Sequence, residues 1–134
     1  MIGSVLGNYR LQKEIGGGGM GTVYAGEHQT LGRRAAIKVL HSQLSRDTDM
    51  VARIFTEARA AALLAHPGLV DVYDFGHLPD GAAYIVMELL EGESLGDRLD
   101  KELKLPVDTA VAMARQVASA VGAAHQKGIV HRDL

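Results

Sequence analysis

The chain contains no cysteine, which excludes disulfide scaffolds and thiolate metal sites. A reducing compartment suits that composition, and a cytoplasmic location is expected. Net charge is small, −2 from 14 basic and 16 acidic residues, so nothing in the balance points to nucleic acid as a partner. Long apolar runs are also missing: no stretch approaches the roughly 20 residues of a membrane span, and no membrane segment is expected. The opening MIGSVLGNYRLQKE has no basic segment followed by an apolar one, so no secretory leader is expected. What remains is an ordinary globular composition, 47% hydrophobic and 22% charged, in 134 residues. That length allows one domain with a core and is too short for two. Neither an internal repeat nor a low-complexity linker interrupts it. Glycine is abundant, with 16 residues and a cluster from Gly16 to Gly21.

The pattern around that cluster is that of strands. Residues 9–15, YRLQKEI, alternate, with Tyr9, Leu11 and Ile15 on the inner face and Lys13 interrupting it. After the glycines, TVYAGEH reads as a second strand, LGRR as a turn and AAIKVL as a third strand, an antiparallel meander. Over residues 48–65 the period changes. Val51, Ile54, Phe55, Ala58, Ala62 and Ala65 make an amphipathic helix, with Asp47 or Thr48 as its cap and Pro67 as its stop. LVDVYDFG and AAYIVMELL read as two further strands joined at LPDG. EGESLGDRL opens a short helix. A long helix is expected over Val107–Gln126, entered at Pro106 and left at Gly128. The IVH after it reads as the start of another strand.

IGGGGMGTV contains Gly16-x-Gly18-x-x-Gly21, a weak signal on its own. A dinucleotide fingerprint would need a helix next, whereas Thr22-Val23-Tyr24 favours a strand. A Walker A loop would need Lys-Ser/Thr after Gly21, and none is present. A glycine hairpin between antiparallel strands can instead fold over a ligand with its amides facing phosphate oxygens, where a Cβ would obstruct the approach. The plain alternative is a hairpin that is merely flexible.

The motifs C-terminal to that loop, and their order, are more specific. Lys38 lies on the third strand in AAIK, Glu57 on the amphipathic helix, then come HPGLV, VMELLEG and finally HRDL. In this order and over essentially the whole chain the sequence resembles the protein kinase family. GGMGTVY, HPGLVDVYDFG and GIVHRDL look most like bacterial Ser/Thr kinases of the eukaryotic type. The resemblance implies an α+β fold: a small lobe of five antiparallel strands with one αC-type helix, then a hinge and the first helices of a larger lobe. Residues 1–8 would be an extension, 9–87 the small lobe, 88–92 the hinge and 93–134 the start of the large lobe.

The resemblance also implies roles. The run Ile15, Gly16, Gly17, Gly18, Gly19, Met20, Gly21, Thr22 and Val23 would line the nucleotide, with Gly16, Gly18 and Gly21 over the ATP phosphates. Ile15 and Val23 would close over the adenine, and Ala36 would leave it room. Lys38 would bind the α- and β-phosphates, held by an ion pair with Glu57. Met87 would gate the back of the pocket, and the backbone of Glu88 and Leu90 would pair with the adenine. Asp133 would accept the proton of the substrate hydroxyl or orient it, with His131 packed and Arg132 facing an activation-loop phosphate. The partners implied are ATP and a protein carrying a Ser or Thr hydroxyl. Mg²⁺ belongs to the complete domain, because its two ligands in the family lie beyond residue 134. The 134-residue chain alone is therefore expected to be inactive. A non-catalytic module acting by nucleotide or partner binding is the alternative, with a small-molecule kinase of similar fold the weaker third.

Two features are decoys. Asp74-Phe75-Gly76 matches the family's magnesium motif in letters but precedes the hinge, so it is expected to be a strand end with Phe75 packed. The six histidines show no metal-ligand spacing, and His66 and His125 read as hydrogen-bonding or packing residues. The long helix carries an apolar face suited to a partner surface.

Overall fold

The computed structural model describes residues 1–130. The elements run β1 (Val5–Leu6), β2 (Tyr9–Gly18), β3 (Gly21–His28), β4 (Arg34–Leu40), α1 (Ser42–Ser45), α2 (Thr48–Ala62), β5 (Val72–His77), β6 (Ala83–Met87), α3 (Leu95–Glu102) and α4 (Val107–Gln126). The chain forms two compact units. The first holds Met1–Leu63 and Val70–Leu89; the second holds Leu64–Leu69 and the chain from Leu90 onward.

The first unit is an antiparallel sheet in the order β1-β2-β3-β4-β6-β5. The expected five strands are thus six. The additional one is β1, which pairs Val5 with Arg10 and Leu6 with Tyr9. Leu6 is only 1% exposed, and burying that one apolar side chain makes the expected extension a strand of the sheet. One face of the sheet carries the main core: Leu6, Tyr9, Leu11, Tyr24, Ile37, Val39, Tyr84 and Val86, with Ala35. On the other face α2 packs through Val51, Ile54 and Phe55 against Leu40 and Ala83.

Ile15 was expected inside with Tyr9 and Leu11, yet it is 46% exposed. The β2–β3 pairing shifts between Leu11 and Lys13 and again between Glu14 and Gly16. Each bulge inserts a residue and breaks the two-residue alternation, so the inner face of β2 ends before Ile15.

Helix α2 starts where Asp47 caps it, the carboxylate accepting from the Met50 amide at 3.0 Å. It ends at Ala62, three residues short of the expected Ala65. Proline disfavours helical backbone in the residue before it, and here the turn is also closed by His66, whose Nδ1 accepts from the Gly68 amide at 2.9 Å. The strand expected over Ala82–Leu90 is shorter, Ala83–Met87. Gly81, at φ +88°, takes the left-handed turn between β5 and β6 that a residue with Cβ adopts at a cost.

In the second unit α3 is capped by Ser94, whose hydroxyl accepts from the Asp97 amide at 3.0 Å. Helix α4 covers the expected Val107–Gln126 and leaves through Gly128 at φ +76°. Its Val107, Val111 and Val117 remain exposed. Leu64–Leu69 belongs with α4: His66 Nε2 lies 2.9 Å from Ser119 Oγ. Since Nδ1 accepts from Gly68, Nε2 carries the hydrogen and donates to Ser119. A Cβ on Gly68 would stand 2.9 Å from that of Ala120. The strand expected at IVH is not formed at Ile129 and Val130, and His131 lies outside the described residues. A lone segment with no neighbouring strand gains no ladder hydrogen bonds.

Among the described residues, Tyr84 has a phenol whose acidity folding changes. Burial, and then the Asp74 carboxylate, raise its phenol above the ordinary 10.0. The neutral phenol is therefore favoured by folding. This contribution is complete below pH 10 and lost as pH rises through the folded-state value. Thermal unfolding above pH 10 should show Tyr84→Phe losing stability more slowly with pH than the parent chain. Equal slopes would contradict this assignment.

Candidate active site

The strand register brings four of the expected nucleotide residues onto one sheet face. Gly16 pairs with Val23, Val23 with Lys38, and Lys38 with Ile85. One step along, Ala25 pairs with Ala36, and Ala36 with Met87. Directly paired residues share a face, and so do residues two apart on a strand. Val23, Ala36, Lys38 and Met87 therefore stand together, on the face opposite Ile37, Val39 and Val86. This is also the face on which α2 packs, through Leu40 and Ala83. Ala36 is buried, while Val23, Lys38 and Met87 are half-buried.

Gly17 to Gly21, Val23 and Lys38 line an open cleft of about 300 Å³. The hairpin above it closes with Gly17 opposite Thr22 and Gly18 opposite Gly21. Its glycines divide into two kinds. A Cβ at Gly21 would lie 2.3 Å from the Val39 carbonyl oxygen, so the sheet itself requires glycine there. At Gly16, Gly18 and Gly19 a Cβ would meet nothing within 4 Å, and none has a left-handed φ. The fold does not require glycine at these three positions. Their absent side chains leave backbone amides and an open cradle, which is what a phosphate chain needs. Met20 and Ile15 are exposed at the rim.

Lys38 was expected to be held by Glu57, and that ion pair is not formed. Glu57 is exposed on α2, and among the described residues neither side chain has an ionic partner within 4.0 Å. The inward positions of α2 are taken by Val51, Ile54, Phe55 and Ala58, which leaves Glu57 at the wet flank. A solvated pair contributes about 0–1 kcal/mol, too little to impose a conformation.

At the edge of the first unit the Glu88 amide donates to the Asp71 carbonyl at 2.8 Å, and its Oε2 accepts from the Asp71 amide at 3.3 Å. Among the described residues, the Glu88 carbonyl has no backbone hydrogen bond. Leu90 opens the second unit and is 65% exposed. Asp133, the expected proton acceptor, and Arg132 lie outside the described residues.

The Asp-Phe-Gly decoy is committed to packing. Phe75 stacks on Phe55 at 4.5 Å between centroids, with the Arg59 guanidinium 5.4 Å from its ring. The Asp74 carboxylate accepts from the Phe75 amide at 2.8 Å. A Cβ on Gly76 would stand 2.8 Å from the Tyr84 hydroxyl. Among the described residues, no group of His, Asp and Glu could hold a metal ion, and no helix is long and apolar enough to cross a membrane.

One residue at this site carried no signal in the sequence. His41 comes directly after β4, and its ring lies 3.0 Å from the Gly18 carbonyl.

The family model described as the protein kinase domain matches residues 9–134. This chain belongs to the protein kinase family. Curated relatives include a serine/threonine-protein kinase, pkn2, of Myxococcus xanthus, 44% identical over 96% of this chain. Another is the serine/threonine-protein kinase PknA of Mycobacterium tuberculosis, 42% identical, also over 96% of this chain. The chain spans only 15% and 31% of the length of those two relatives. Among solved structures, the PknI kinase domain of Mycobacterium tuberculosis superposes with a TM-score of 0.87 at 30% identity. That match covers 100% of this chain and 54% of the solved one. The α+β architecture is thus that of a protein kinase small lobe and the start of the large one.

Proposed function

We propose that this chain forms the ATP-binding portion of a Ser/Thr protein kinase domain. The observation that carries the reading is the shared face of Val23, Ala36, Lys38 and Met87 beneath a hairpin whose open glycines the fold does not need. In this reading the amides of Gly16 to Gly21 face the phosphates and Lys38 places its ammonium against them. Ile15, Val23 and Ala36 enclose the adenine, Met87 closes its back, and the hinge groups are the Glu88 carbonyl and the Leu90 backbone. Glu57 is the carboxylate that orients Lys38 once phosphate draws the ammonium toward the cleft. ATP, when bound, supplies the phosphoryl group. In the complete domain Asp133 accepts the proton of a protein Ser or Thr hydroxyl as that oxygen attacks. Mg²⁺ would be held by groups outside these 134 residues, and the reaction belongs in the cytoplasm, where ATP is supplied.

The 134-residue chain is expected to bind ATP without transferring phosphate. Thermal unfolding checks the first half: ATP at 100 times its dissociation constant adds about 2.7 kcal/mol to a folded binder. Incubation with labelled ATP and a general protein acceptor checks the second. No stabilisation would remove the nucleotide reading, and transfer by this chain would remove the claim of inactivity. A second reading, a binding module without catalysis, draws on the exposed Val107, Val111 and Val117 of α4. Stabilisation by ATP in the chain, with no transfer from a full-length protein carrying it, would favour that module.

A further inference from the structure

We infer that His41 is a positioning residue for the nucleotide cleft, its imidazole latching the glycine hairpin to the end of β4. The β3–β4 ladder ends with Gly21 opposite Leu40. One residue further, the His41 amide donates to the Met20 carbonyl at 3.1 Å, and the ring Nε2 lies 3.0 Å from the Gly18 carbonyl oxygen. That oxygen can only accept, so Nε2 carries the hydrogen and donates. A single residue thus holds the hairpin on both sides of Gly19, at the cleft that Lys38 also lines.

Two further observations single out the ring. His41 occupies the N-cap position of α1, where a side chain ordinarily accepts from the helix amides, yet its ring makes no such bond. The side chain is turned to the glycines instead. Beyond the β2–β3 ladder, which pairs Gly16, Gly17 and Gly18 with Val23, Thr22 and Gly21, those glycines have little to hold them. Gly16 to Gly19 have no side chains to pack, each has wide conformational freedom, and among the described residues no other side chain hydrogen-bonds to them. One exposed hydrogen bond shifts such an equilibrium by about two- to tenfold, enough to decide how often the hairpin is preformed over the cleft.

The inference rests on the nucleotide reading, and the experiment separates the two. The 134-residue chain, His41→Ala and His41→Gln are compared in amide hydrogen exchange without nucleotide, and in affinity for a non-hydrolysable ATP analogue. Both variants keep the backbone amide at position 41, and glutamine keeps a side-chain donor. His41→Ala should speed exchange across Gly17–Met20 by about two- to tenfold and weaken the analogue by a similar factor, with His41→Gln restoring both. Exchange near Tyr9 should not move, and the melting temperature should fall by only a few degrees. Unchanged exchange in His41→Ala, or no restoration by glutamine, would overturn the latch. Faster exchange with unaltered affinity would overturn its positioning role. Absence of analogue binding in the parent chain would overturn the nucleotide reading, and the exchange data would still judge the latch.

Discussion

Replacing Gly21 with alanine is expected to lower the melting temperature by more than about 10 °C or to abolish cooperative unfolding. The new Cβ would stand 2.3 Å from the Val39 carbonyl oxygen and 3.0 Å from both the Val39 carbonyl carbon and the Leu40 Cα. All three are backbone atoms of the paired strand, so no side-chain rotation relieves them. Overpacking ordinarily costs about 1–3 kcal/mol, and a clash that must push β3 away from β4 belongs at the top of that range. Gly18→Ala is the control. Its Cβ enters open space at an unstrained φ, so the melting temperature should hold or rise slightly as the unfolded chain loses freedom. Its affinity for ATP should fall, because the methyl group occupies the cradle. Unaltered ATP affinity in Gly18→Ala would mean that the hairpin is only flexible. Equal melting temperatures for Gly21→Ala and the parent would mean that the strands pair differently.

Lys38→Met should separate binding from folding in the opposite sense. Lys38 is half-buried between Val23 and Ile85 and has no ionic partner among the described residues. Methionine keeps the apolar stem against those neighbours and removes an ammonium that no described residue pairs with. The free protein should therefore be as stable as the parent or slightly more so. Its affinity for ATP should nonetheless drop. Hydrogen bonds to charged groups contribute about 1.5–3 kcal/mol, which corresponds to roughly ten- to a hundredfold in dissociation constant. Titration by calorimetry checks the affinity and thermal unfolding checks the fold. A destabilised Lys38→Met with unchanged affinity would make the lysine structural and remove it from the site. Glu57→Gln is informative alongside: with no ion pair in this structure, its effect should appear only with nucleotide present.

Local chemistry made much of this legible in the sequence. The ends of α4 follow from Pro106 and Gly128, and the start of α2 from Asp47, because caps and breakers act within a turn of the residue that carries them. The kinase resemblance rested on the order of several motifs along the chain, and order needs no coordinates. The Asp74-Phe75-Gly76 decoy was separable from a metal site by its place before the hinge alone. The shared face of Val23, Ala36 and Lys38 was half legible, since alternation along AAIK puts positions 36 and 38 on one side.

Tertiary structure decided what depends on distant partners. Val5 and Leu6 have no strand signal of their own, and only pairing with β2 makes them one. Two register shifts turned Ile15 outward, and a bulge leaves no mark in a hydrophobic pattern. The glycines of this one loop look alike as letters. Gly21 differs from Gly18 because the backbone of β4 lies against one and open space against the other, a matter of register between strands. Glu57 and Lys38 have the residue types of an ion pair. Whether they meet depends on how α2 presents its flank to the sheet, which apolar packing sets and a solvated pair is too weak to override. His41 reads as one histidine among six. Its place beside Gly18 follows from the end of β4 running alongside the hairpin tip, a proximity that exists only once the sheet has formed.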